Sequence, residues 1–542
     1  MQNSFLVLLP PVIALSMAFI TRRIMLSLFM GIVAAAFLAT DFSITGTIIT
    51  TIKSLWNTTE LTNITSTKGF WASSNLLIAL FLLILGIIIT LINHTGATSA
   101  YGNFVSKKLK NSTQAECSSL ALSSFLFVDD YFSSLTSGSV MHAVTDKFKI
   151  PRAKLAFLVD SMAASLCALS PISSWMAAII TPLNNAGITD QIQPNTLIAT
   201  DTFWVYLHIL PFVFYSLILI ISIWFIVLRK ISFGPMRKHE IIAKETGNLF
   251  GDKNPTKRKM RQASEKNLEN NSLIDFMLPI IWLSGSVILS LLYTGNFWLF
   301  GGSNSFVRAF QSSEISISLF FSGLLTLILS LIYYISRKKL RGKELPAIIW
   351  EGLNLMLPAI AVLFLAWTLG DLIKNDLHTG QYLANKLVGS VNLKLLPVIF
   401  FAISTATSLC TGSAWGTVAI MVPITIPMLL SFFNLHAPII AANMPMLYPV
   451  IGAIISGAII GDHVSPLSDT TVMASASTGS NLMDHTQTQL SYSIPIIFST
   501  AIAFLASGFL IQYGVAISAI CSLLVGLSFS FITLQTLNRS HA

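Results

Sequence analysis

The sequence predicts an all-α polytopic membrane protein of about eleven transmembrane helices plus two re-entrant hairpins, arranged as inverted-topology repeats. Three observations carry that class. Of 542 residues, 54% are hydrophobic and 10% charged, against about 25% charged in an ordinary soluble domain. Mean hydropathy is +0.73, and the apolar residues form long continuous runs, not the alternation of a membrane β-barrel. Basic residues gather on loops at one side of those runs, as the positive-inside rule requires. Composition thus excludes a cytosolic globular protein, a disordered chain and a disulfide scaffold. Cys117, Cys167, Cys410 and Cys521 lie in apolar stretches without metal-ligand spacing, and read as small hydrophobes. The net charge of +9 follows from those loops and implies no nucleic acid.

The apolar runs fall at 5–21, 24–40, 75–93, 155–181, 203–228, 273–293, 316–335, 346–370, 438–460, 492–512 and 513–534. The first lacks a basic region before it and reads as a retained helix. Regions 117–144 and 395–433 are apolar but interrupted by Ser, Thr and Gly, and each reads as a hairpin that enters the bilayer and returns. Charge tests this reading. With loop 229–272 cytoplasmic, two hairpins put 26 basic residues inside and six outside. A crossing at 117–144 would instead place Lys147, Lys149, Arg152 and Lys154 outside. The N-terminus is then outside and the C-terminus cytoplasmic. Loop 229–272 reads as a solvated, disordered basic segment, and no Lys or Arg falls within a span interior. The segment Leu135–Val144 aligns with Leu409–Val418 in hairpins of opposite topology. The chain divides into a first repeat at 1–228, the basic loop at 229–272 and a second, inverted repeat at 273–535.

Ionisable groups at membrane depth are costly and mark function. Five acids qualify: Asp129 and Asp130 in the first hairpin, Asp160 in the helix after it, and Asp462 and Asp469 in the second half. In FVDDYFSSLTSGSVM the acids precede Ser133, Ser134, Thr136, Ser137 and Ser139, an oxygen-rich set that suits a hard cation, and Gly138 is expected to break the helix. In GAIIGDHVSPLSDTTVMAS a break is expected from Gly461 and Pro466, with Ser465, Ser468, Thr470 and Thr471 around it. Asp129, Asp130, Asp160, Asp462 and Asp469 are therefore the candidates to bind a cation or a proton. A metal cation is placed at Asp130, Asp462 and Asp469, with Ser133, Ser137, Ser465, Ser468 and Thr470 as neutral ligands. Asp160 reads as a relay acid or as a partner of Lys154. His463 is a candidate pH sensor, since histidine ordinarily titrates near neutrality. Asp484 and His485 read as a loop. Segment 404–418 holds no acid and is expected to complete the site with hydroxyls and backbone. No HExxH, GxSxG, Walker A or GxGxxG context occurs, so no enzyme is expected.

The strings FVDDYFSSLTSGSVM, LVDSMAASLCALSPISSW, TGSAWGTVAIMVPITIP and GAIISGAIIGDHVSPLSDTTVMAS together resemble the NhaC-type sodium/proton antiporter family, which includes sodium-linked malate/lactate exchangers. The similarity runs from about residue 75 to 490. Ser165 departs from it, standing where the family often has proline, which moves the expected break to Pro171. The resemblance implies a secondary transporter of the bacterial inner membrane that exchanges Na+ for H+ by alternating access. It implies no cofactor beyond the transported ions and no partner beyond the lipid bilayer, with a homodimer one assembly open to it. Exchange of a small organic anion or amino acid coupled to Na+ or H+ is the alternative. An ion channel fits broken, repeat-related helices less well.

Overall fold

The computed structural model describes residues 5–21, 23–65, 69–97, 108–127, 130–171, 173–189, 196–251, 272–372, 376–377, 392–433 and 435–540. It is helical throughout, apart from the short parallel pair Ile188–Thr189 and Ile198–Ala199. Helices satisfy their own backbone groups, which is what a lipid environment demands. Among the described residues, eight helices are long and apolar enough to cross a membrane; the protein is an all-α, multi-pass membrane protein.

Several apolar runs divide or shift. Run 155–181 is two helices, Arg152–Leu169 and Ser174–Asn185, parted at Pro171, while Ser165 sits inside the first. Run 203–228 becomes Thr202–Ile209 and Phe214–Arg229. Run 438–460 moves to Leu447–Val464. Run 492–512 starts at Leu482, because a polar first turn is buried by protein and not solvated. An unexpected helix, Ile44–Thr58, turns Ile44, Ile48, Ile52 and Trp56 outward and buries Thr47, Thr51 and Thr58. Its hydropathy is low because its polar face is the inner one.

Each half contains the same order of parts: a helix pair, then a broken helix. The first pair is Ser112–Phe125 with Asp130–Lys147, followed by the broken helix at 152–185. The second pair is Leu396–Thr411 with Ala414–Phe432, followed by Leu447–Val464 and Asp469–Thr478. The ten aligned residues do not share local structure. Leu135–Val144 lies within one continuous helix, whereas Gly412 parts its counterpart with a φ of +64°. Gly138 breaks nothing. It lets two helices touch, since a Cβ there would lie 2.0 Å from Ser477 Oγ.

The basic loop is partly ordered: Gly234–Thr246 is a helix that buries Glu240. Lys154, buried and not solvated, meets Glu116 at 2.9 Å and Glu240 at 2.6 Å. Arg152 is buried too, with Nη2 2.5 Å from Asp146 Oδ2 and Nη1 2.5 Å from the Thr478 carbonyl. Two cations therefore enter the protein interior just beyond the run that was expected to lack them. The Lys154 contacts also put the start of Ser112–Phe125, the start of Arg152–Leu169 and the loop helix at one level.

Leu447–Val464 is buried along its whole length, so neighbours must pack on every face. It meets Leu396–Thr411 backbone to backbone: a Cβ on Gly457 would lie 2.7 Å from Phe401 O, and one on Gly461 2.3 Å from Ser408 C. Ser404 and Ser408 donate to the Ile454 and Ala458 carbonyls at 2.6 Å each. Away from this core, Ser74–His94 and Leu345–Asp371 pack through Gly86 and Gly352.

Gly457→Val should lower the thermal unfolding midpoint in detergent, at an overpacking cost of about 1–3 kcal/mol. Gly285→Val, where a Cβ meets nothing within 4 Å, should leave it unchanged. Lys154→Met leaves two buried carboxylates unpaired and should cost about 3–5 kcal/mol. Adding Glu116→Gln and Glu240→Gln should restore most of the midpoint, which the same thermal measurement reads.

Candidate functional site

Four helix interruptions meet at one place. Leu126-Phe127 lie before Asp130, Ser170-Pro171 and Ser173 before Trp175, Gly412-Ser413 before Trp415, and Ser465-Pro466-Leu467-Ser468 before Asp469. Trp175 Nε1 donates to Asp130 Oδ2 at 2.8 Å, and the Trp175 and Trp415 rings meet edge to face at 6.4 Å. Tyr131 OH donates to Asp469 Oδ2. Gly412 lies on the last interruption, where a Cβ would come within 2.8 Å of Leu467. The second hairpin thus completes the site with backbone contact and an indole, its Ser404 and Ser408 hydroxyls being spent on packing.

The carboxylates divide by position on their helices. Asp130 and Asp469 are each the first residue of a helix, and each accepts from the next backbone N–H, Tyr131 N at 3.0 Å and Thr470 N at 2.9 Å. A helix N-terminus favours negative charge there. Asp462 lies in the last turn of Leu447–Val464, the end that favours a cation. It is buried, Ser468 Oγ donates to its Oδ1 at 2.6 Å, and its strongest charged neighbours are Asp469 and then Asp130. Thr470 Oγ1 extends this chain, 2.9 Å from Ser468 Oγ.

Of the expected residues, Asp130, Asp462, Asp469, Ser468 and Thr470 come together here. Asp129 lies outside the described residues. Ser133 and Ser137 share the Asp130 face of their helix and are buried with hydroxyls that find no protein partner. Ser465 is engaged elsewhere, donating to Leu409 O at 3.3 Å and accepting from Leu467 N at 3.2 Å. Among the described residues, no three acid, histidine or cysteine side chains converge closely enough to hold a metal by themselves. A cation at Asp462 would take its remaining oxygens from hydroxyls and carbonyls at the interruptions.

Asp160 stands apart from this set and does not pair with Lys154. It is buried against Leu482–Leu510, accepting from Gln489 Nε2 at 2.7 Å and lying 3.2 Å from His485 Nε2. His485 is thus in a buried helical turn and not in a loop. His463 is buried, its ring held by Ser161 Oγ at 2.8 Å and Tyr215 OH at 2.7 Å. Tyr131, Trp175 and Trp415 escaped the sequence reading, although each directly follows a polar interruption: Asp-Asp-Tyr, Ser-Ser-Trp and Ser-Ala-Trp.

A family profile described as the Na+/H+ antiporter family matches residues 166–509. An uncharacterized protein of Haemophilus influenzae is 31% identical over 507 residues, which cover 93% of this chain and 90% of that protein. A malate-2H+/Na+-lactate antiporter of Bacillus subtilis is 30% identical over 203 residues, 37% of this chain and 39% of its own. An uncharacterized Na+/H+ antiporter of Haemophilus influenzae is 27% identical over 167 residues, 31% of each chain.

Proposed function

Because the chain belongs to the Na+/H+ antiporter family, and is a secondary antiporter and a transporter rather than an enzyme, we propose that it exchanges Na+ for H+ through one shared site at Asp462. The observation that carries this reading is the buried trio of carboxylates at the interruptions, in which the strongest charged neighbours of Asp462 are themselves acids. Negative charge without a counter-ion is costly in such a place. Either a proton or a sodium ion relieves it, and the presence of one disfavours the other. Sodium is a hard cation that takes oxygen ligands, and Asp462, Asp469, Ser468 and Thr470 supply them, with Asp130, Ser133 and Ser137 on the facing helix. The empty site resists reorientation, so the protein changes sides only when loaded, and exchange follows. The membrane is the bacterial inner membrane, with the Lys154 level on its cytoplasmic side, the N-terminus outside and the C-terminus inside.

Exchange of an organic anion, as in the name of the Bacillus relative, would call for a cationic donor in the site. Arg152 is buried, but Asp146 and the Thr478 carbonyl already engage its guanidinium.

In everted membrane vesicles holding a pH dye, added NaCl should dissipate the proton gradient, and Asp462→Asn should lose at least 90% of that response. Ser468→Ala removes a hydrogen bond to a charged group, worth about 1.5–3 kcal/mol, and should raise the sodium concentration for half-maximal response by roughly ten- to a hundredfold. A response to malate, lactate or an amino acid but to no alkali cation would overturn the assignment.

A further inference from the structure

The three carboxylates of the shared site are held in two different ways. Asp130 and Asp469 each have a donor on both oxygens. Tyr131 N donates to Asp130 Oδ1 at 3.0 Å, and Trp175 Nε1 to its Oδ2 at 2.8 Å. Thr470 N donates to Asp469 Oδ1 at 2.9 Å, and Tyr131 OH to its Oδ2. The indole of Trp367 also reaches the Asp469 carboxyl, from the last turns of Leu345–Asp371. Among the described residues, Ser468 alone donates to the Asp462 carboxylate, and to Oδ1.

Tyr131 is common to the two pinned acids. Its backbone N–H holds Asp130, and its hydroxyl, across the ring, holds Asp469 on the facing helix. One rigid side chain therefore sets the spacing of two like charges. Trp175, fully buried, reaches from Ser174–Asn185 to Asp130, with the Trp415 ring against it. A buried tyrosine or tryptophan needs a partner for its O–H or N–H, and a backbone carbonyl serves. Tyr206 and Tyr492 take that course, donating to Ala168 O and Ile231 O. Tyr131 and Trp175 donate instead to the site's acids, which orients groups that would bind an ion.

We infer that Tyr131 and Trp175 determine which alkali cation the site accepts, by fixing Asp130 and Asp469 at a spacing that fits Na+ and Li+ but not K+. This inference rests on sodium/proton exchange at Asp462. Cation choice follows cavity size, ligand field strength and the rigidity of the ligand frame. Carboxylate oxygens supply a strong field, which favours the smaller, more charge-dense ion. A frame pinned at both oxygens of two acids cannot widen to take K+. Released from the Tyr131 hydroxyl, Asp469 can step back, and the larger ion enters. Both aromatics are positioning residues, since they touch the carboxylates and not the ion.

The test uses the full chain in proteoliposomes holding a pH dye, with gradients of NaCl, LiCl or KCl imposed in turn. The wild-type protein should respond to Na+ and Li+ at concentrations roughly tenfold or more below those for K+. Tyr131→Phe removes one hydroxyl and should narrow the gap between K+ and Na+ by roughly tenfold, the lower end of what a hydrogen bond to a charged group is worth. Trp175→Phe should shift the ratio in the same direction. A merely structural role would weaken the response to all three ions together and leave their ratio unchanged. Equilibrium binding of the same ions to purified protein reads that ratio without transport, including in a variant that folds but does not cycle. Tyr131→Phe and Trp175→Phe proteins that keep the wild-type ratio overturn the inference. So does a wild-type protein that responds equally to Na+ and K+, however the variants fold. A wild-type protein with no response to any alkali cation instead overturns sodium/proton exchange, and this inference falls with it.

Discussion

The arrangement depends on one constraint, negative charge gathered on three carboxylates at buried helix interruptions. Two like charges about 6 Å apart repel by roughly 3 kcal/mol at an effective dielectric of 20. A helix N-terminus returns at most about 2 kcal/mol, and only to Asp130 and Asp469, which start their helices. Asp462, at the opposite helix end, receives no such help. Repulsion therefore wins at Asp462, and a cation there relieves it. That electrostatic imbalance, more than any single contact, is what the proposed exchange of ions at this site rests on.

The fold builds this imbalance by interrupting helices where they are most tightly held. Leu447–Val464 is buried on every side and locked to Leu396–Thr411 through Gly457, Gly461 and paired serine hydroxyls. Its end is fixed in place, while the segment beyond it restarts at Asp469. Tyr131 ties that restart to the first half of the chain, and Trp175 with Trp415 ties the other two interruptions together. The loop helix Gly234–Thr246 is bound into the same body through Glu240 and Lys154.

The fold class was legible because apolar length and basic loops act through simple averages, which a single sequence reports faithfully. The interruptions were legible where proline or a polar run marks them, as at Pro171 and Pro466. Gly138 misled because glycine serves two ends, relaxing the backbone or admitting a neighbour, and only the tertiary contact with Ser477 decides between them. Helix Ile44–Thr58 and the first turns of Leu482–Leu510 were hidden for a related reason. Hydropathy assumes that polar side chains seek water, whereas here they face protein. For the site, the acids stood out by their cost in an apolar chain. Tyr131 and Trp175 did not, because an aromatic beside polar residues is unremarked until a distant segment arrives, and His485 was misplaced in a loop because the polar turn around it looks solvated. The association of Asp160 with His485 and Gln489 joins positions more than three hundred residues apart, beyond the reach of local pattern.

The central claim is that a proton and a sodium ion compete for the same buried carboxylate. Sodium binding to the purified protein, measured at equilibrium across a range of pH, tests it without transport. Competition predicts an apparent sodium affinity that weakens as pH falls, approaching tenfold per pH unit once protons occupy the site, with Asp462→Asn binding no sodium. A sodium affinity that does not change with pH would contradict it.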